Sequence, residues 1–114
     1  MEKKYVYIAS PYSIGDMAFN VRRQINCAEE IMKYSQQYNI YPYVPLMSHF
    51  HQMFYVHNYE FWMDQDFAWL ERCDFLLRLN GESSGADREV ERAEELSIPI
   101  YYHIGDLLDA LRIE

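Results

Sequence analysis

Two carboxylates stand where helical periodicity calls for apolar residues. Between Ala86 and Ser97, a wheel drawn at about 100° per residue puts Ala86, Val90, Ala93 and Leu96 on one apolar face. Glu89 falls on that face, while Glu91 and Glu95 point away. Glu89 also lies in the first turn, after Ser83-Ser84-Gly85, where exposed backbone N–H groups and the helix dipole favour negative charge. The plain reading is a glutamate that complements the dipole and does nothing else. Between Asn58 and Arg72, the apolar stripe Tyr59, Met63, Leu70 carries Asp66 between its last two members. An aspartate on such a stripe costs free energy unless it is paired or hydrogen-bonded. Asp66 therefore either caps a neighbouring loop or is an acid held partly dry with a raised pKa, able to hand a proton to a leaving group. Two carboxylates brought together are the minimum equipment for cleaving a glycosidic bond through an oxocarbenium-like transition state.

The elements that must position them follow from the pattern of apolar runs. Tyr5-Val6-Tyr7-Ile8-Ala9 ends at Ser10-Pro11 and reads as a buried first strand. From Asp16 to Tyr38, Val21, Ile25, Ala28 and Met32 recur at helical spacing and predict one long amphipathic helix. Tyr41-Pro42-Tyr43-Val44-Pro45 reads as a second strand, and its prolines assign it to a sheet edge. Met47 to Val56 has no clean period and reads as a loop before the helix of Asn58–Arg72. A third strand over Asp74–Leu79, a polar turn over Asn80–Gly85, the helix carrying Glu89, a strand over Ile98–His103 and a short helix capped by Asp106 complete the chain. This βαβαβαβα alternation predicts a single α/β domain over residues 1–114, a three-layer flavodoxin-like or Rossmann-like parallel sheet with strand order 2-1-3-4. The loops after the strands then gather on one edge, where such sheets bind ligands. The three that matter are Ser10–Gly15, Pro45–His57 and Asn80–Gly85.

Composition narrows the partners. The 114 residues are half hydrophobic and one quarter charged, which excludes a disordered chain. A net charge of −8 repels nucleic acid polymers and anionic membranes, whereas a helix N-terminus still accepts a small phosphate. Cys27 and Cys73 have no metal-type spacing and read as small core residues in a reducing, cytoplasmic compartment. The apolar stretch after Lys3-Lys4 reads as too short for a signal peptide's apolar region, and no run approaches membrane-spanning length. His49, His51 and His57 with Glu60 raise the question of a metal, since imidazole and carboxylate are ordinary zinc ligands. Their spacing fits no zinc motif, and His49 reads better as a substrate contact.

Three blocks in order carry a family resemblance: Tyr7-Ile8-Ala9-Ser10-Pro11-Tyr12; Trp62, Asp66 and Cys73-Asp74; and Ser83-Ser84-Gly85-Ala86-Asp87-Arg88-Glu89 followed by Ala93 and Ile98-Pro99-Ile100. Over Tyr5 to about Ile100 the chain resembles the nucleoside 2-deoxyribosyltransferase superfamily. The resemblance implies that Glu89 attacks the anomeric carbon, that Tyr7 orients Glu89, and that Asp66 assists the departing base. It implies no metal and no cofactor, and a homodimer or higher homo-oligomer. Where nucleoside transferases carry an aspartate six residues before the nucleophile, this chain has Ser83, as the superfamily's 5′-monophosphate N-glycosidases do. A carboxylate there would repel a 5′-phosphate, whereas a hydroxyl beside Ser84, Gly85, Ala86 and a helix N-terminus can donate to one. The expected function is thus an N-glycosidase acting on a nucleoside 5′-monophosphate. Ser10, Tyr12 and His49 are further candidate substrate contacts, and Arg22 or Arg88 candidate phosphate cations. The alternatives are a 2-deoxyribosyltransferase acting on unphosphorylated nucleosides and a module that binds a nucleotide without turning it over.

Overall fold

Lys4–Ala9 forms β1, the strand around which the sheet is assembled in this computed structural model, which describes residues 2–113. β2 (Ile40–Tyr43), β3 (Phe75–Arg78) and the two-residue β4 (Ile100–Tyr101) complete a parallel sheet of order β2-β1-β3-β4. β2 lies at the edge, as Pro42 demands; its residue pairs in register with Val6. The helices are α1 (Met17–Met32), α2 (Ser35–Tyr38), α3 (Ser48–Phe54), α4 (Tyr59–Leu70), α5 (Ser84–Glu95) and α6 (Ile104–Ile113). Alternation along β1 and β3 divides the core into two layers. Val6, Ile8, Phe75 and Leu77 pack with α1 and α6 through Ile31, Leu107 and Leu111. Tyr7, Ala9 and Leu76 face the other way and pack with α4 and α5 through Leu70, Ala86 and Ala93. The three-layer α/β fold with order 2-1-3-4 is the one the alternation predicts.

Four local expectations need correction. The first helix is interrupted: α1 ends at Met32, and α2 closes at Asn39 in a left-handed conformation (φ 55°) before β2. Met47–Val56 is no loop. A 3₁₀ turn over Pro45–Met47 leads directly into α3, whose apolar residues include Met53 and Phe54, 68% and 80% exposed, so burial leaves no helical period to read. The final helix starts at Ile104, which places Asp106 in its first turn. The buried stripe of α1 is also rotated from the expected one: Ile25 and Met32 are exposed, while Asn20 and Gln24 are buried beside Val21 and Cys27.

The two polar residues on that stripe are fastened to backbone. Asn20 Nδ2 donates to the carbonyls of Tyr12 and Ile14, which shapes the loop after β1. Gln24, fully buried, donates from Nε2 to the Ile8 carbonyl at 3.0 Å and to Ser10 Oγ at 2.8 Å. Its Oε1 accepts the Leu46 N–H at 2.9 Å. One amide therefore locks the end of β1 to the turn that follows β2. Gln24→Leu keeps the volume but leaves buried polar groups without a partner, and should lower stability by about 2–3 kcal/mol. A fall in the denaturant midpoint at unchanged slope, with faster exchange of the Leu46 amide, would show this; a variant as stable as the parent would contradict it.

Candidate active site

Tyr7, Asp66 and Glu89 come together on the α4–α5 side of the sheet, each delivered by a different element. Tyr7 is fully buried at the centre of β1, on the face that packs against α5. Glu89 lies between Ala86 and Ala93 on the inward face of α5, in the second turn and not the first because the helix already starts at Ser84, and is only 6% exposed. The Tyr7 hydroxyl donates to Glu89 Oε2. Asp66, one turn after the buried Met63 on α4, is half-buried beside them.

Burial sets the protonation of all three. Loss of water raises the Glu89 carboxyl to about 8, with Asp66 pushing in the same direction and the Tyr7 hydrogen bond and the Arg78 charge opposing it. Burial alone lifts Asp66 to about 7. Burial lifts the Tyr7 phenol well above its ordinary value, and the nearby Glu89 and Asp66 carboxylates add to this, so Tyr7 remains a hydrogen-bond donor. A carboxyl pair titrating near neutrality can supply both a nucleophile or base and a general acid.

A cavity of about 420 Å³ opens beside Asp66, walled by Tyr43, Pro45, Ser48, His51 and Trp62. Its volume lies in the range of small-molecule sites, and its aromatic walls suit a planar ligand. Gln52 holds the far wall: its Oε1 accepts the Trp62 indole N–H at 2.6 Å and the His57 N–H at 2.9 Å, and its Nε2 donates to the His57 carbonyl. His57 stacks on Phe61 with ring centres 3.9 Å apart, and His51 meets Trp62 edge-on at 5.2 Å. Pro45, Ser48 and His51 belong to the aromatic segment Pro45–Tyr59 that the sequence assigns to the base, whereas Tyr43 and Trp62 lie outside it. The only available signal was the aromatic density of residues 41–62, which does not say which rings turn inward.

The remaining candidates sit as follows. Ser83 caps α5, its Oγ accepting the Ala86 N–H at 3.1 Å, so its own proton remains available to donate. Ser84 is exposed, Gly85 half-buried under the Tyr59 ring and Ala86 buried. Tyr12 and His49 share a hydrogen bond of 2.7 Å that joins the loop after β1 to α3. Ser10 is 6% exposed, beneath the loop surface, with its oxygen engaged by Gln24. Arg88 is held by both oxygens of Glu60, and Arg22 is exposed on α1. Arg23 and Arg78 instead grip the loop between β3 and α5. Arg23 donates to the Asn80 carbonyl and side chain, and Arg78 to the Leu79 and Gly81 carbonyls. Gly81 (φ 118°) comes so close to the loop after β1 that a Cβ there would lie 2.8 Å from Pro11 Cγ. Among the described residues, no three His, Cys, Asp or Glu side chains group to hold a metal ion, and no helix is long and apolar enough to cross a membrane.

Glu89 makes stability depend on pH in a definite sense. Its proton is held up to about 8 in the folded chain but only to about 4.5 when water surrounds it. The folded state binds the proton more tightly, so stability falls as pH rises between these values and levels off above the higher one. Glu89→Gln removes this penalty. The variant should match the parent near pH 4 and exceed it by about 2–4 kcal/mol at pH 8.5. Thermal or denaturant unfolding at both pH values measures the difference; an equal gap at both would contradict the assignment.

Comparison with known proteins bears on the fold and on the family. A solved 2-deoxyribosyltransferase from the psychrotolerant bacterium Bacillus psychrosaccharolyticus, described as a biocatalyst for synthesis of antiviral and antitumoral nucleosides, superposes with a TM-score of 0.55 at 15% identity. The superposition covers 84% of this chain and 69% of that one. It shows a nucleoside 2-deoxyribosyltransferase-like fold, in agreement with the resemblance of the sequence blocks. No curated protein matches the sequence. The model of a domain family of unknown function, DUF7768, matches residues 4–103, which takes in every strand and every candidate site residue, and the chain belongs to that family.

Proposed function

We propose that the protein is an N-glycosidase that cleaves the base–sugar bond of a nucleoside 5′-monophosphate, with Glu89 as nucleophile. The observation that carries this reading is the buried Glu89 carboxyl held at one oxygen by the Tyr7 phenol, with Asp66 beside it. Because Oε2 accepts from Tyr7, Oε1 is the oxygen left to attack C1′. As the C1′–O bond forms, the C1′–N bond breaks, its electron pair departs with the base, and the base takes the Asp66 proton. Asp66, now a carboxylate, draws a proton from water as the hydroxyl adds to C1′ and Glu89 is released. Two displacements leave the configuration at C1′ unchanged. The aromatic cavity beside Asp66 is the place for the departing base, and the Ser83 hydroxyl at the α5 N-terminus is the donor for the phosphate. A base in place of water as acceptor would make the same site a transferase.

The active form needs Glu89 ionised and Asp66 protonated, which, with Asp66 titrating below Glu89, is the minor of the two singly protonated states, about one part in ten. With the two groups titrating at about 8 and about 7, kcat/KM should form a bell between these values, whose limbs belong to the pair and not to either residue. Below the bell Glu89 carries a proton and cannot attack; above it Asp66 has none to give. Incubation with deoxy- and ribonucleoside monophosphates, followed by chromatography of the free base, tests the reading. Release should fall at least about 10³-fold in Glu89→Ala and about 10²–10⁴-fold in Asp66→Asn. Tight binding without turnover would establish the binding module, and exchange confined to unphosphorylated nucleosides would establish the transferase.

A further inference from the structure

Arg78 is a cation where a strand core should be apolar. It ends β3 opposite Ala9 and is 7% exposed. Strand alternation puts it on the same face as Leu76, which packs with Tyr7, and so on the face that Glu89 occupies. A buried guanidinium is retained only where its donors are satisfied. Those of Arg78 go to the Leu79 carbonyl, to the Gly81 carbonyl at 2.8 Å and to Asp87 Oδ1 at 3.1 Å. All three acceptors belong to the connection that starts α5 or to its first turn. Asp87 is largely solvent-exposed, so it screens the arginine only in part.

We propose that Arg78 is a positioning residue for Glu89: its planar fork ties the β3–α5 loop to the end of β3, and its fixed charge stands on the Glu89 side of the sheet to favour the carboxylate. Glu89 is bonded by Tyr7 from β1 and feels the charges of Asp66 from α4 and Arg78 from β3, while Tyr43 of β2 acts on Tyr7. Of these only Arg78 is a cation. It adds to the Tyr7 hydrogen bond in opposing the loss of water and the neighbouring aspartate. Arg23 also holds this loop, but through the exposed Asn80.

This inference rests on Glu89 being the nucleophile, but its test does not need turnover. The Glu89 carboxyl is titrated by carbon NMR in uniformly glutamate-labelled protein, its signal assigned by loss in Glu89→Gln. In Arg78→Met the midpoint should rise by about half a pH unit or more. A cavity of about 310 Å³ on the outer side of Arg78 lets water take over the released loop carbonyls. Arg78→Lys keeps the charge without the fork, so the midpoint should stay within a few tenths of a unit while amide exchange over residues 81–87 quickens. Asp87→Asn, on the surface, unscreens the arginine and should lower the midpoint by more than Glu91→Gln, which removes an exposed charge equally near in sequence without touching Arg78; that contrast decides the matter even if Arg78→Met fails to fold. A midpoint unmoved in Arg78→Met and lowered no more in Asp87→Asn than in Glu91→Gln, or the second result alone where Arg78→Met does not fold, overturns the proposal. Loss of base release alone, with the midpoints shifted as expected, would count against the glycosidase reading and not against Arg78.

Discussion

A carboxyl group closed off from water is unstable as an anion unless something inside the protein takes the place of the solvent. For Glu89 that substitute is the Tyr7 hydroxyl, supported by the Arg78 guanidinium. The phenol comes from the central strand, so the hydrogen bond spans the two layers that make up half of the core. Everything else at the site is arranged around this contact. Ala86 and Ala93 are small enough to bring α5 close to the sheet, and Asp66 enters from α4.

The site depends on loops being held in register more than on any loop's own sequence. Gln24 fixes the end of β1 to the turn after β2, Asn20 folds the loop after β1, and Arg23 and Arg78 clamp the loop after β3. Each uses a side-chain amide or guanidinium from a regular element to satisfy a backbone group of a loop, which is how an irregular segment is made rigid without secondary structure of its own. The protein thereby places destabilising charge on a stiff frame, the arrangement in which function and stability pull in opposite directions.

The sheet was legible in the sequence because its signals are local: apolar runs closed by Ser10-Pro11, by Pro45 and by Asn80-Gly81, with Pro42 marking the edge. Glu89 and Asp66 were legible because they break an apolar helical face. Gln24 and Arg78 break an apolar pattern as well, but a glutamine in a helix or an arginine at a strand end is ordinarily solvent-facing, and only the tertiary contacts show them to be buried. The α3 helix escaped for the opposite reason. Its apolar residues are exposed, so no buried face imposes a period. Which rings line the cavity was equally hidden, since it depends on how Gln52 folds the segment onto Trp62.

As nucleophile, the Glu89 carboxylate would bond covalently to a sugar carbon during turnover. Acid quenching during turnover of a nucleoside monophosphate, followed by proteolysis and peptide mass analysis, tests it most directly. The expected result is a pentose-phosphate ester on the peptide that contains Glu89, with free base already released. Turnover with no ester on that peptide at any quench time, or an ester on a different residue, would contradict it.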